Sequence, residues 1–151
     1  NSMVLGGTVD LQIDDKGRIR IPGKFRPFFA DCKQIFLQKG NGCLELIKDS
    51  KYNEVMGKLS SVSMMGGGPL YEAFVLYSSS TSAINEDSQG RFTIPAAMKE
   101  FAHIAKDVRF VGLFDRLQIW DRDTFVSRFE QSGDSYNKAL AEIDKLLNGH
   151  D

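Results

Sequence analysis

The sequence predicts an α+β protein, mainly β, in which two pseudo-symmetric halves share one core and carry flanking helices. Three observations lead there: an internal repeat at one constant spacing, short alternating strands around tight turns in each copy, and helix-period stretches after each copy. The repeat is the strongest of them. Asp14-Asp15-Lys16-Gly17-Arg18-Ile19-Arg20-Ile21-Pro22 returns 73 residues later as Asp87-Ser88-Gln89-Gly90-Arg91-Phe92-Thr93-Ile94-Pro95. With no gap, the same offset pairs Phe28 with Phe101, Lys33 with Lys106, Ile35 with Val108, Leu44 with Leu117, Leu46 with Ile119 and Tyr52 with Phe125. Two copies are too few for a solenoid, so two halves packed about a pseudo-two-fold axis are expected.

In the first copy Val9, Leu11 and Ile13 share one face of an alternating strand over Thr8–Ile13. Asp14 to Gly17 reads as a turn, because the Asp carboxylate accepts backbone N–H bonds and Gly tolerates a positive φ. Arg18 to Ile21 alternates again, with the arginines on one face and the isoleucines on the other. Pro22 and Pro95 suit a first helical position, where the missing N–H costs nothing. A short helix is expected over Pro95–Ala105, while Gly23 and Pro27 restrict its counterpart to a turn or two. A hairpin follows in each copy: Gln34–Gln38 with Cys43–Ile47 around Gly40-Asn41-Gly42, then Val108–Val111 with Leu117–Trp120 around Phe114-Asp115-Arg116. Helices are expected after Asp49 (Tyr52, Val55, Met56, Leu59) and after Asp121 (Phe125, Val126, Phe129). A last amphipathic helix carries Tyr136, Ala139, Leu140, Ile143 and Leu147 and looks suited to packing. Ser60 to Pro69 has the composition of a flexible linker, Leu70 to Tyr77 fits either a helix or a buried strand, and Ser78 to Ser80 reads as a loop. The chain thus divides into a first repeat with its trailing helix (3–60), a linker and helix (61–77), a second repeat (78–132) and a C-terminal helix (133–151).

With 151 residues, 42% hydrophobic and 26% charged, the chain can bury a core without disulfides or a structural metal. Two cysteines, Cys32 and Cys43, build no disulfide framework, and no CxxC spacing points to zinc. No apolar run approaches a membrane span, and no signal-peptide pattern opens the chain, so a cytoplasmic location is the default expectation. The net charge of −1 taken alone argues against nucleic acid, yet it hides a gradient. Residues 1–48 hold eight Lys/Arg against five Asp/Glu, a net +3, whereas residues 121–151 hold four against seven, a net −3. Such asymmetry fits one basic working surface and an acidic tail elsewhere.

Catalysis finds no constellation. His103 and His150 have no partner placed to help either, and Ser78–Ser80 lacks a base. Gly66–Gly68 lacks the Gly-Lys-Ser/Thr ending of a phosphate-binding loop. Cys32, Cys43 and His103 lack metal-ligand spacing. No enzyme activity, cofactor or metal is expected. The repeated turn is different, because it clusters Lys16, Arg18 and Arg20, with Lys24 and Arg26 just beyond. A protruding hairpin of this kind suits a DNA groove, where arginine bonds a guanine edge and nearby lysines meet phosphates. The bland alternative is an ion pair, Asp14 with Arg18 and Asp87 with Arg91, that closes each turn; both can hold at once.

The turn and its strands resemble the swapped-hairpin motif of AbrB-type bacterial regulators. Two tandem copies, together with Val108-Arg109-Phe110-Val111-Gly112-Leu113-Phe114-Asp115-Arg116-Leu117-Gln118-Ile119-Trp120-Asp121, resemble the MraZ family over nearly the whole chain. The resemblance implies two AbrB-like halves whose interleaved hairpins form a small β-barrel, and assembly into a closed homo-oligomeric ring. It implies a nucleoid-associated, DNA-binding transcriptional regulator that recognises short direct repeats at the promoter of the division and cell-wall gene cluster. Carried over by motif, Asp14, Gly17, Asp87 and Gly90 form the turns, and Lys16, Arg18, Arg20 and Arg91 contact double-stranded DNA. Gln89 and Thr93 stand in the second copy where the first has Lys16 and Arg20, so the first copy is the expected base reader, with Arg18 foremost. The alternatives are an antitoxin-like regulator and a ring-forming scaffold in which Arg18 only braces its turn.

Overall fold

The computed structural model describes residues 3–63 and 66–149. Eight strands and five α-helices follow one another as two similar series. The first series is β1 (Thr8–Gln12), β2 (Arg18–Arg20), a one-turn 3-10 helix (Arg26–Phe29), β3 (Ile35–Lys39), β4 (Leu44–Lys48), α1 (Asp49–Ser63) and α2 (Gly68–Ser80). The second is β5 (Ser82–Ala83), β6 (Arg91–Thr93), α3 (Ala96–Phe101), β7 (Asp107–Leu113), β8 (Arg116–Asp121), α4 (Arg122–Phe129) and α5 (Ser135–Asn148).

Strand partnering is where the halves interleave. The larger sheet runs β1-β7-β8-β4-β3-β5, and a separate ribbon pairs β2 with β6. Exchanging the halves reverses that order onto itself. The first strand of each half therefore lies against the other half's hairpin: Thr8 faces Val111 and Gln12 faces Asp107, while Leu37 faces Ser82. The pseudo-dyad passes through two residue pairs that are themselves 73 apart, Ile19 opposite Phe92 in the ribbon and Glu45 opposite Gln118 in the sheet. Gly112 marks the crossing of the N-terminal segment, since a Cβ there would stand 2.8 Å from the Gly6 backbone. The pairing leaves β1 and β5 as free ends of the larger sheet, so the small barrel implied by the resemblance is not closed by hydrogen bonds among the described residues.

The core lies between ribbon and sheet and obeys the same dyad. Ile19 and Phe92, Ile21 and Ile94, Phe25 and Met98, Leu37 and Phe110, Leu44 and Leu117, and Leu46 and Ile119 are all buried together. Each such side chain contributes about 1.5–3 kcal/mol of burial. The opposite face of the sheet is covered by helices: Phe36 stacks on Tyr52 of α1 at 4.0 Å, and at the equivalent place Arg109 sits 5.1 Å from the Phe125 ring of α4.

Several local expectations change in three dimensions. Pro95 is the residue before α3, with an extended ψ of 145°, and the helix ends at Phe101 because His103 takes a left-handed φ of 55°. Its counterpart after Pro22 is the single 3-10 turn, with Pro27 in its first turn. Leu70–Tyr77 is helical and Ser78–Ser80 forms the last turn of α2, which leaves β5 only two residues long. The expected linker is mostly helix, α1 running to Ser63 and α2 starting at Gly68; Met64 and Met65 lie outside the described residues. α5 buries none of its side chains: Tyr136, Leu140, Ile143 and Leu147 all face solvent.

Candidate nucleic-acid interface

Each turn is built by one carboxylate. Asp14 Oδ1 accepts the N–H groups of Lys16 (2.9 Å) and Arg18 (2.8 Å), while Oδ2 accepts Arg18 Nε at 2.8 Å. Asp87 does the same for Gln89, Arg91 and Arg91 Nε, each at 2.9 Å. Gly17 and Gly90 both hold φ near +77°, and each N–H returns to the carbonyl of its aspartate. A residue with a Cβ is strained at that φ, which is why glycine closes both turns. The Arg18 and Arg91 backbone N–H bonds hold the Asp14 and Asp87 carboxyls below their ordinary value of 3.8, with the side-chain bonds from the same arginines adding to the effect.

The ion pair that could have been the whole role of Arg18 therefore forms, and it uses only Nε. The two terminal nitrogens of Arg18, like those of Arg91, meet no protein partner among the described residues. The bracing ion pair is thus present, and it leaves the terminal donors of the guanidinium without a protein partner among the described residues.

Tertiary structure then brings the two motifs onto one surface. In the β2–β6 ribbon Arg18 lies opposite Thr93 and Arg20 directly opposite Arg91, with Ile19 and Phe92 pointing inward to the core. Three arginines thus share the solvent face of a ribbon three residues long. Like charges directly across a strand pair are unfavourable on their own account; Asp14 and Asp87 partly offset Arg18 and Arg91, while Arg20 has no acidic partner among the described residues. An anion between them would reverse the sign. Lys16 stands exposed at the tip of the first turn, and Gln89 occupies its place in the second. Lys24 leaves the cluster and lies 5.5 Å from the Phe25 ring.

Of two cations beside the turns, sequence reasoning placed Arg26 just beyond the first turn's basic cluster and did not single out Lys99. Arg26 reaches the second turn, donating from Nη2 to the Gly90 carbonyl at 3.2 Å and pairing with Glu86. Lys99 lies next to the first turn, its Nζ 3.8 Å from where a Gly17 Cβ would stand. Arg26 and Lys99 are 73 residues apart, so the repeat offset was the signal that could have found Lys99.

The other candidate chemistry stays apart. Burial pushes the Cys43 thiol up to about 12 and raises Cys32 as well. No group of three His, Cys, Asp or Glu side chains among the described residues could hold a metal ion. No described helix is long and apolar enough to cross a membrane.

Interleaved tandem hairpins with matched aspartate–arginine turns on a shared cationic ribbon define the class, a double swapped-hairpin protein. The family described as "MraZ protein, putative antitoxin-like" matches residues 4–66 and 78–146. Similar chains include the transcriptional regulator MraZ of Mycoplasmoides gallisepticum, 31% identical over 140 residues that span 91% of this chain and 96% of that one. The protein of that name from Thermoanaerobacter pseudethanolicus is 30% identical over 145 residues, 95% of this chain and 99% of its own. That from Salinispora tropica is 30% identical over 131 residues, covering 86% and 90%. The chain belongs to the MraZ family, whose members among these relatives are named transcriptional regulators and not enzymes.

Proposed function

We propose that the protein is a sequence-specific DNA-binding transcriptional regulator, with Arg18 reading bases and Lys16, Arg20 and Arg91 fixing the turn on phosphates. The observation that carries this reading is the solvent-facing Arg18, Arg20 and Arg91 cluster, in which Arg20 faces Arg91 across the ribbon and Asp14 and Asp87 engage only Nε of the arginine side chains. Its target is double-stranded promoter DNA with short direct repeats, in the division and cell-wall gene cluster, and its place is the cytoplasm at the nucleoid. The working form is a closed homo-oligomeric ring. Two exposed apolar faces support assembly: the α5 stripe, with Leu146 83% and Leu147 74% exposed, and the outer side of α2 around Tyr71 and Val75. A head-to-tail ring suits direct repeats, because successive subunits point the same way around it. Linked copies also answer the low net charge, since several weak contacts on one duplex act by effective concentration. If four subunits each neutralise about two phosphates, log K falls with log salt at a slope of about −7.

The test is fluorescence anisotropy with labelled DNA from upstream of the protein's own gene, across a salt series, against scrambled DNA of equal length and with Arg18→Ala beside the wild type. Salt-dependent, sequence-selective binding that Arg18→Ala removes, with the assembly intact by light scattering, is the expected result. Equal affinity for upstream and scrambled DNA would leave a ring-forming scaffold. The exposed α5 stripe favours that second reading, or an antitoxin-like one in which the helix occupies a protein partner.

A further inference from the structure

The two turns share a skeleton, yet their glycine carbonyls are satisfied by different donors. Gly17 O accepts the backbone N–H of Ile94 at 3.1 Å, a main-chain bond across the ribbon. Gly90 O accepts Nη2 of Arg26 at 3.2 Å, a side-chain bond from the opposite repeat. The same nitrogen pairs with Glu86, the residue just before Asp87, so one guanidinium spans the second turn from its entry to its glycine. The fit is close: a Cβ on Gly90 would stand 2.9 Å from Arg26 Nη2. Lys99, the pseudo-symmetric counterpart, makes no hydrogen bond to the first turn among the described residues.

We propose that Arg26 is the positioning residue of the second DNA-contacting turn, so that a side chain of the first repeat sets how Arg91 is presented to DNA. The first turn is held by main chain and needs no such brace. The DNA arm of this inference rests on the reading above; the structural arm does not. An arginine suits the task because its planar fork keeps the bridging nitrogen oriented, whereas a lysine ammonium on a flexible stem holds either partner less firmly. Glu86, the charge that removal of Arg26 leaves unpaired, is an exposed residue, so no buried charge is left behind. Arg26→Ala is therefore expected to fold.

Hydrogen exchange by mass spectrometry on Arg26→Ala, Arg26→Lys and Lys99→Ala tests the structural arm. Exchange in Arg26→Ala should rise about tenfold over the turn residues 87–90 and stay unchanged over the turn residues 14–17, the scale of one lost hydrogen bond. Arg26→Lys should fall between, and Lys99→Ala should leave both segments protected. Anisotropy tests the functional arm. Arg26→Ala should weaken binding about 3- to 10-fold, again the scale of one bond, and should flatten the salt slope no more than Arg91→Ala does, since it acts through that phosphate contact. It should add nothing to Arg91→Ala, yet multiply with Lys16→Gln, because only Arg91 shares its turn. Equal exchange in both turns overturns the inference, as does full additivity with Arg91→Ala. A slope shallower by about 0.9 more per engaged subunit when Arg26→Ala is added to Arg91→Ala overturns it too, since Arg26 would then be a phosphate contact of its own. Failure of the wild type to bind DNA removes the functional reading alone, and the exchange result still decides the brace.

Discussion

In the first repeat the turn between β1 and β2 presents Lys16, Arg18 and Arg20 to solvent; in the second, the turn between β5 and β6 presents Gln89, Arg91 and Thr93. The carboxylate cradles agree bond for bond, and both glycines sit at the same φ. The two turns therefore separate what makes the shape from what meets a ligand. Aspartate, glycine and the arginine backbone and Nε make the shape, and they are the positions that match. The other positions leave the backbone indifferent, and there the first copy has Lys16, Arg20 and Asp15 where the second has Gln89, Thr93 and Ser88, a net difference of one positive charge. On the proposed DNA-binding reading, a subunit with one more and one less cationic turn would have a direction along the duplex, which a symmetric pair would lack.

Breaking the frame that holds both turns should have the largest effect. Phe92 and Ile19 meet on the pseudo-dyad, 1% and 3% exposed. Phe92→Ala is expected to cost about 3–5 kcal/mol of stability and to release both turns together, as followed by thermal melting. A melt unchanged within about 1 kcal/mol would mean the ribbon is not part of the shared core.

Next in size is the contrast between the arginines. If Arg18 reads a base as proposed, Arg18→Ala removes a contact worth about 1–3 kcal/mol per engaged subunit, so affinity for the specific site should drop at least tenfold and discrimination should vanish. Arg91→Ala should weaken binding to all sequences and leave the preference for the specific site. The reverse pattern in competition anisotropy would move base reading to the second repeat.

A smaller shift should follow from exchanging the residues at the turn tips. Lys16→Gln is expected to flatten the salt slope by about 0.9 per engaged subunit, and Gln89→Lys to steepen it by as much. If Gln89→Lys leaves the slope alone, the second turn stands away from the phosphates.

The smallest expected effect is in acid. Asp14 and Asp87 carboxyls lie below their ordinary 3.8, chiefly through the backbone N–H of the arginine four residues on. A depressed carboxyl lends stability that is fully present above the unfolded value and is lost as pH falls through the folded one. Amide exchange, corrected for its intrinsic pH dependence, should thus leave both turns protected at neutral pH and open them together below about pH 4. Asp14→Asn should remove that acid response from the first turn only.

Much of this was legible in the chain. The 73-residue offset, the Asp-x-x-Gly-Arg turns and the alternation of Ile19 and Ile21 against Arg18 and Arg20 are relations between near neighbours or copies of them. Backbone sterics and side-chain periodicity decide such relations wherever the segment lies. Helix ends and the short β5 were not legible, because the left-handed His103 and the extension of α2 through three serines depend on what packs around them. Nor was partnering. Nothing local says that β1 lies against β7 about a hundred residues on, that Arg20 faces Arg91, or that Arg26 closes a turn in the other repeat. Those contacts follow from burying one face of every strand in a single core, which two half-sized sheets can do only by interleaving. The sequence by itself determined two matched turns with arginines on one face; tertiary structure alone decided that they share one surface.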